Sequence, residues 1–232
     1  MSHTVIRPGN HYASRLPAFG DAPVVKLVTP RLAPARFGEY LIALPPGGGT
    51  VRPVAPGFET FVYALEGTAT LSGDVPLGAG AWAYRPARDA WSVETGDAPA
   101  LLLVVKRRHE YAPGFDVPAA RHGHRDDAPW QETTLPGFRR RELLPVDDPS
   151  FDFAMSLLAF EPGIGLPFSE IHDEEHGLYM TAGGGTYFLD GEEHEVAAGD
   201  FIYMPPYCPQ GFSAAGDGAE YLLYKDTWRD GF

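Results

Sequence analysis

Glu170-Ile-His172-Asp-Glu-Glu-His176-Gly177 is followed downstream by Gly199-Asp-Phe-Ile-Tyr-Met-Pro205-Pro-Tyr-Cys-Pro-Gln210. Side chains alternate along a β-strand, so a carboxylate and an imidazole two residues apart, Glu170 and His172, share a face. His176 joins that face if a turn, or the start of the next strand, intervenes. With Gln210 the set offers two oxygens and two nitrogens. That mixture suits a divalent ion such as Mn, Fe, Ni or Zn and leaves positions open for water or a substrate. In isolation such a run is as well explained by solvated charge in an acidic protein, so its weight depends on its surroundings.

Those surroundings repeat. Met155-Ser-Leu-Leu-Ala-Phe160 ends at Glu161-Pro-Gly163, as Tyr40 to Leu44 ends at Pro45-Pro-Gly47. His176 to Leu189 matches Glu59 to Leu71 with one insertion, Gly199 to Pro205 matches Gly80 to Pro86, and Tyr221 to Lys225 matches Leu102 to Lys106. The four pairs share an offset of about 116 to 119 residues, the mark of an internal duplication. Each half reads as about eight short strands, a number that suits a double-sheet jelly roll. Asp190-Gly191, between Tyr187-Phe-Leu189 and Glu193-His-Glu-Val196, is a hairpin signal. The expected fold class is all-β.

The two motif stretches resemble the signatures of the cupin superfamily. In the first signature, the usual His-x-His pair is here Glu170-x-His172, the usual glutamate is His176, and the spacing runs on to Gly183. In the second, Gly199 and Pro205 fit, Gln210 stands in the histidine position, and Tyr207 replaces an inner glycine. The duplicated chain therefore resembles a bicupin, two tandem double-stranded β-helix barrels. We expect an N-terminal cupin over residues 1–120, a linker over 121–150 and a C-terminal cupin over 151–232. At the positions matching Glu170, His172, His176 and Gln210 the first half carries Pro53, Ala55, Glu59 and Trp91. One carboxylate cannot hold a transition metal, so the first barrel is expected to be degenerate and metal-free. The fold then does not demand the ligands, and their presence in the second half points to chemistry.

Composition narrows the classes further. The 232 residues carry a formal net charge of −13, which disfavours nucleic acid and anionic membranes as partners. Cys208 is the only cysteine, so no intramolecular disulfide can form and a reducing, cytoplasmic setting is expected. No apolar run approaches the roughly 18 residues of a membrane span. With 27 glycines and 23 prolines, turns and short strands are favoured over long helices.

Several other residues bear on a site. Tyr221 and Lys225 lie four apart on the last strand and so share a face. If that face is inward, Lys225 needs an anionic partner, whether a metal-bound carboxylate or a substrate; otherwise it ends the strand in solvent, as Lys106 would. Tyr187 follows the Gly183-Gly-Gly185 turn on the motif sheet. His122-Gly-His124 sits in a Pro-, Gly- and charge-rich stretch read as linker. Phe138-Arg-Arg-Arg-Glu142 reads as an exposed, charge-protected edge strand. His194 reads as exposed on its hairpin, and Cys208 as a packing residue.

The permuted quartet, the Gly-x5-Pro-x4-Gln segment, the closing Tyr221-Leu-Leu-Tyr-Lys-Asp226 and the degenerate first half resemble the (S)-ureidoglycine aminohydrolase family. That family comprises manganese bicupins of purine (allantoin) catabolism. The likeness spans most of the chain and is densest from Phe151 to Asp230. It implies hydrolysis of (S)-ureidoglycine to (S)-ureidoglycolate and ammonia, an amidine-type C–N hydrolase reaction. It further implies Mn2+, with Fe, Ni or Zn as alternatives, on Glu170, His172, His176 and Gln210. Substrate contacts would come from Tyr187, Tyr221, Lys225, Glu170 and Gln210, with Glu170, Lys225 and Tyr221 in catalytic roles. A small-molecule substrate and a homo-oligomer are the implied partners. Two rivals stand beside it: an Fe-dependent cupin dioxygenase, and a bicupin that binds a metal or small ligand without turnover.

Overall fold

In the computed structural model, which describes residues 3–227, strands dominate and no α-helix forms among the described residues; a 3-10 turn spans Pro8–Asn10. Among the described residues no helix is long and apolar enough to cross a membrane. The chain divides into two compact units. One is Tyr12–Asp127; the other joins Met1–His11 to Ala128–Phe232.

Strands β1 (Thr4–Ile6), β2 (Ala13–Ser14), β3 (Val24–Val28) and β4 (Phe37–Leu44) open the chain. They are followed by β5 (Phe58–Leu71), β6 (Val75–Gly78), β7 (Ala81–Arg85), β8 (Val93–Glu94), β9 (Ala100–Arg108) and β10 (Arg121–His124). The second half continues with β11 (Gln131–Glu132), β12 (Phe138–Leu144) and β13 (Phe153–Phe160). It closes with β14 (His176–Leu189), β15 (Glu192–Ala197), β16 (Phe201–Met204) and β17 (Gln210–Asp226).

In the first unit, β5 is the spine. Its first part pairs with β7 and β9, and Thr68 to Leu71 pairs with β6 and β8. In the second unit β14 plays the same part, between β16, β17 and β15. A single 14-residue strand serves two sheet faces in each unit because it bends at a glycine. Gly67 and Gly183 adopt φ +73° and +65°, and a Cβ on either would lie 2.0 Å from a carbonyl oxygen, of Pro99 or Gly218. An L-residue there meets both a disfavoured backbone and a wall. Each bend closes a barrel around its own apolar core. Ile42, Val62, Leu71 and Leu102 belong to one core, and Leu178, Leu189, Ile202 and Phe212 to the other. Each such side chain, fully buried, contributes about 1.5–3 kcal/mol. These are the expected bicupin barrels.

The unit boundary differs from the sequence-based one. β10, with His122 and His124, is not linker but pairs with β7. The 128–150 stretch belongs to the second unit, because β12 pairs along β13. β12 is also no exposed edge: β11 covers its other side, and Arg141 is buried. The first strand crosses the chain's length to pair with β16, Thr4 opposite Tyr203. None of these pairings is local in sequence, so strand composition alone could not assign them. The residues from Trp228 onward, which close the stretch of densest family resemblance, lie outside the described residues.

Candidate metal and substrate site

Glu170, His172, His176, Tyr187, Gln210, Tyr221 and Lys225 all line one cavity of about 440 Å3 in the second unit. Their supports differ. Glu170 and Gln210 are locked by a two-residue antiparallel bridge, with backbone N–H to O distances of 2.8 and 3.0 Å. His172 lies not on a strand but in the turn beyond, its carbonyl accepting the Tyr207 N–H at 2.7 Å. Tyr207 itself has φ +62°, so the position where the cupin signature carries glycine keeps a glycine-like backbone. His176 opens β14, opposite Lys225 on β17. The alternation argument for Glu170 and His172 thus fails in detail, yet the turn brings both to the cavity.

The imidazole Nε2 atoms of His172 and His176 are 3.1 Å apart, and the Gln210 amide nitrogen is 2.9 Å from His172 Nε2. His176 is held well below the ordinary histidine pKa, first by burial and then by repulsion from His172 and Lys225. A neutral imidazole presents a lone pair to the cavity, the state a metal ligand needs. A half-turn of the Gln210 amide exchanges its nitrogen for its oxygen. The residues present therefore fit a divalent ion. The Glu170 carboxylate does not close a compact group with both imidazoles; its charge acts instead on the Tyr187 and Tyr221 hydroxyls.

Those tyrosines are bonded to each other, and both pKa values are raised: burial is the main cause, with the Glu170 carboxylate adding to it. Both are buried and packed on Phe212. They are held protonated, as hydrogen-bond donors.

One member of the site was not legible in the sequence. Glu174, buried at 6% exposure, places one oxygen 3.0 Å from Lys225 Nζ and the other 2.9 Å from His172 Nδ1. Neither contact has the alignment of a full hydrogen bond, so the attraction is chiefly electrostatic. Lys225 is inward, and its partner is Glu174. Glu174 sits in an acidic run that reads as solvated surface, and no spacing rule marks it. Arg140 of β12 lines the same cavity. Cys208 packs in the barrel core, and burial raises its thiol pKa, as for a packing residue. His194 is not free on its hairpin; its Nε2 is 3.0 Å from that of His3.

Strand register gives the counterparts in the first barrel. Lys225 pairs with His176, and Lys106 pairs with Thr60, so Thr60 and not Glu59 corresponds to His176. The Val54–Trp91 bridge matches the Glu170–Gln210 bridge. His172 then falls on Pro56, Tyr187 on Leu71 and Tyr221 on Leu102. A one-residue slip turns Glu59 to the opposite face, where it meets His109 Nδ1 at 2.8 Å. The first barrel thus retains no carboxylate or imidazole at any of the four ligand positions.

Residues 156–224 match the model of the cupin domain. A probable (S)-ureidoglycine aminohydrolase of Oryza sativa subsp. japonica is 34% identical over 98% of this chain and 74% of its own. The chain belongs to the (S)-ureidoglycine aminohydrolase family. The Arabidopsis thaliana (S)-ureidoglycine aminohydrolase is 33% identical over 98% of this chain and 76% of its own. The crystal structure of a putative glyoxylate-induced protein from Pseudomonas aeruginosa superposes with a TM-score of 0.88, at 27% identity, covering 97% of this chain and 88% of that one. As a ureidoglycine aminohydrolase family member, the chain carries its candidate site in the second barrel.

Proposed function

We propose that this chain hydrolyses (S)-ureidoglycine to (S)-ureidoglycolate and ammonia. The observation that carries the reading is the convergence of two imidazole nitrogens, an amide and a carboxylate on one cavity that also holds protonated tyrosines and a lysine. Family membership supplies the substrate. Glu170, His172, His176 and Gln210 would hold a divalent ion, Mn2+ in our assignment, which when bound supplies Lewis-acid polarisation at the reacting centre.

The remaining groups bind and move protons. The Tyr221 hydroxyl, which accepts from the Tyr187 hydroxyl, donates its own proton to the ureido oxygen. Lys225 has three N–H donors; one faces Glu174 and the others meet the substrate carboxylate, assisted by the Arg140 guanidinium. Glu170 takes a proton from the attacking water. The water oxygen bonds to the α-carbon, the bond to the α-amino nitrogen breaks, and the proton held by Glu170 leaves with that nitrogen as ammonia. The acidic chain with one cysteine suits a cytoplasmic enzyme, and the family resemblance favours a homo-oligomer.

The test is ammonia release from freshly generated ureidoglycine by metal-stripped protein, before and after Mn2+ is returned. Release that requires the ion and is lost in Glu170→Ala and His176→Ala is the expected result. A stoichiometrically metal-loaded protein that releases no ammonia would overturn the assignment.

A further inference from the structure

The first barrel has a cavity of its own, about 480 Å3, walled by Phe19, Val54, Phe58, Trp91 and Val104, with Lys106 and Arg52 also in its lining. By register this is the counterpart of the site in the second barrel. Every metal-ligand and tyrosine position has become apolar or neutral, but the lysine has been kept.

What has changed is the lysine's partner. The strand pairing that sets Thr60 against Lys106 and His176 against Lys225 puts Phe58 where the second barrel has Glu174. Lys225 Nζ lies 3.0 Å from the Glu174 carboxylate; Lys106 Nζ lies over the Phe58 ring, 4.5 Å from its centroid. Among the described residues no carboxylate comes within ion-pair distance of Lys106. A half-buried ammonium with only a ring beneath it is under-compensated, since a cation–π contact returns about 0.5–2 kcal/mol and charge burial costs more. Burial alone lowers its pKa, with no neighbouring anion to raise it. An arriving anion would supply what Glu174 supplies in the second barrel.

We propose that the cavity of the first barrel is a binding site for a small monocarboxylate with an apolar body, its carboxylate on Lys106 and its body against Trp91, Val54 and Phe19. Arg52 is the one other charged side chain in the lining, and the walls around the two cations are apolar. They offer a ring or short alkyl chain a dry surface.

Isothermal titration calorimetry of the full chain with benzoate and hexanoate tests this, with neutral benzamide as the isostere. We expect saturable benzoate binding with a dissociation constant of about 1 mM or tighter, and benzamide at least about tenfold weaker. Lys106→Met should weaken benzoate at least about tenfold, while Lys225→Met, in the other barrel, leaves that binding in place. The benzoate–benzamide comparison uses unaltered protein, so it holds even if a variant misfolds. Absence of saturable binding by either acid overturns the proposal. So does equal binding of acid and amide, or a benzoate isotherm abolished by Lys225→Met and untouched by Lys106→Met.

Discussion

Lys225 Nζ sits 3.0 Å from Glu174, and the same carboxylate reaches His172 Nδ1 at 2.9 Å. One buried anion therefore couples a candidate metal ligand to a candidate substrate-binding cation. Its negative charge favours the proton on Nδ1 and turns the Nε2 lone pair toward the cavity, the arrangement by which an outer carboxylate orients a metal-binding imidazole.

Glu174→Gln keeps the size and removes the charge. Metal affinity should fall about 10–100-fold, as for loss of other carboxylate partners of ligating histidines. Metal content after dialysis against a buffered chelator series measures it. Affinity equal to the parent protein's would show that Glu174 does not orient His172.

Lys225→Met leaves the buried Glu174 carboxylate without its cation, facing only His172 Nδ1. Full burial would make this cost about 3–5 kcal/mol; with the lysine side chain 29% exposed, about 1–3 kcal/mol is expected. Adding Glu174→Leu should restore part of the loss, and a double-mutant cycle in urea reads the coupling. Simple additivity would mean that the pair contributes nothing to stability.

Tyr187→Phe and Tyr221→Phe each remove one donor from the cavity while keeping the ring packed on Phe212. Steady-state assays should show kcat/KM lower by about 10–100-fold, the worth of a hydrogen bond to a polarised group, with the melting temperature little changed. A large fall in stability with unchanged kcat/KM would assign the hydroxyls to the core instead.

Glu39, at 2% exposure on β4, has its pKa pushed from 4.5 to about 8 by burial, and one of its oxygens has no hydrogen-bond partner. The folded state then binds the proton more tightly than the unfolded chain. Its favourable contribution is complete below the unfolded pKa and is lost as pH rises toward about 8. Glu39→Gln should flatten the decline in stability from pH 5 to about 8, seen as a Tm gain that grows with pH. A gain independent of pH would contradict the shifted carboxyl.

Gly183→Ala places a Cβ 2.0 Å from the Gly218 carbonyl oxygen at φ +65°. A loss of more than about 2 kcal/mol is expected in chemical denaturation. Gly191→Ala, at φ +86° but in open space, should lose only about 1 kcal/mol. Similar losses at both positions would mean that the bend of β14 does not depend on close packing.

The sequence alone was enough for the duplication, the all-β class and the set of seven cavity residues. Alternation and glycine and proline punctuation carry the first two readings; the seven residues came from the short spacing of Glu170, His172 and His176 together with the family resemblance. Only the tertiary structure decided that Glu174 is the partner of Lys225, that β12 is covered on both sides, and that β1 joins the second sheet. It also decided that Thr60, and not Glu59, corresponds to His176. Each of these depends on contacts between segments far apart in the chain, and strand register is set there. A bulge at Ala64/Glu66 or Met180/Ala182 shifts it by one residue, and one residue moves a side chain to the other face of the sheet.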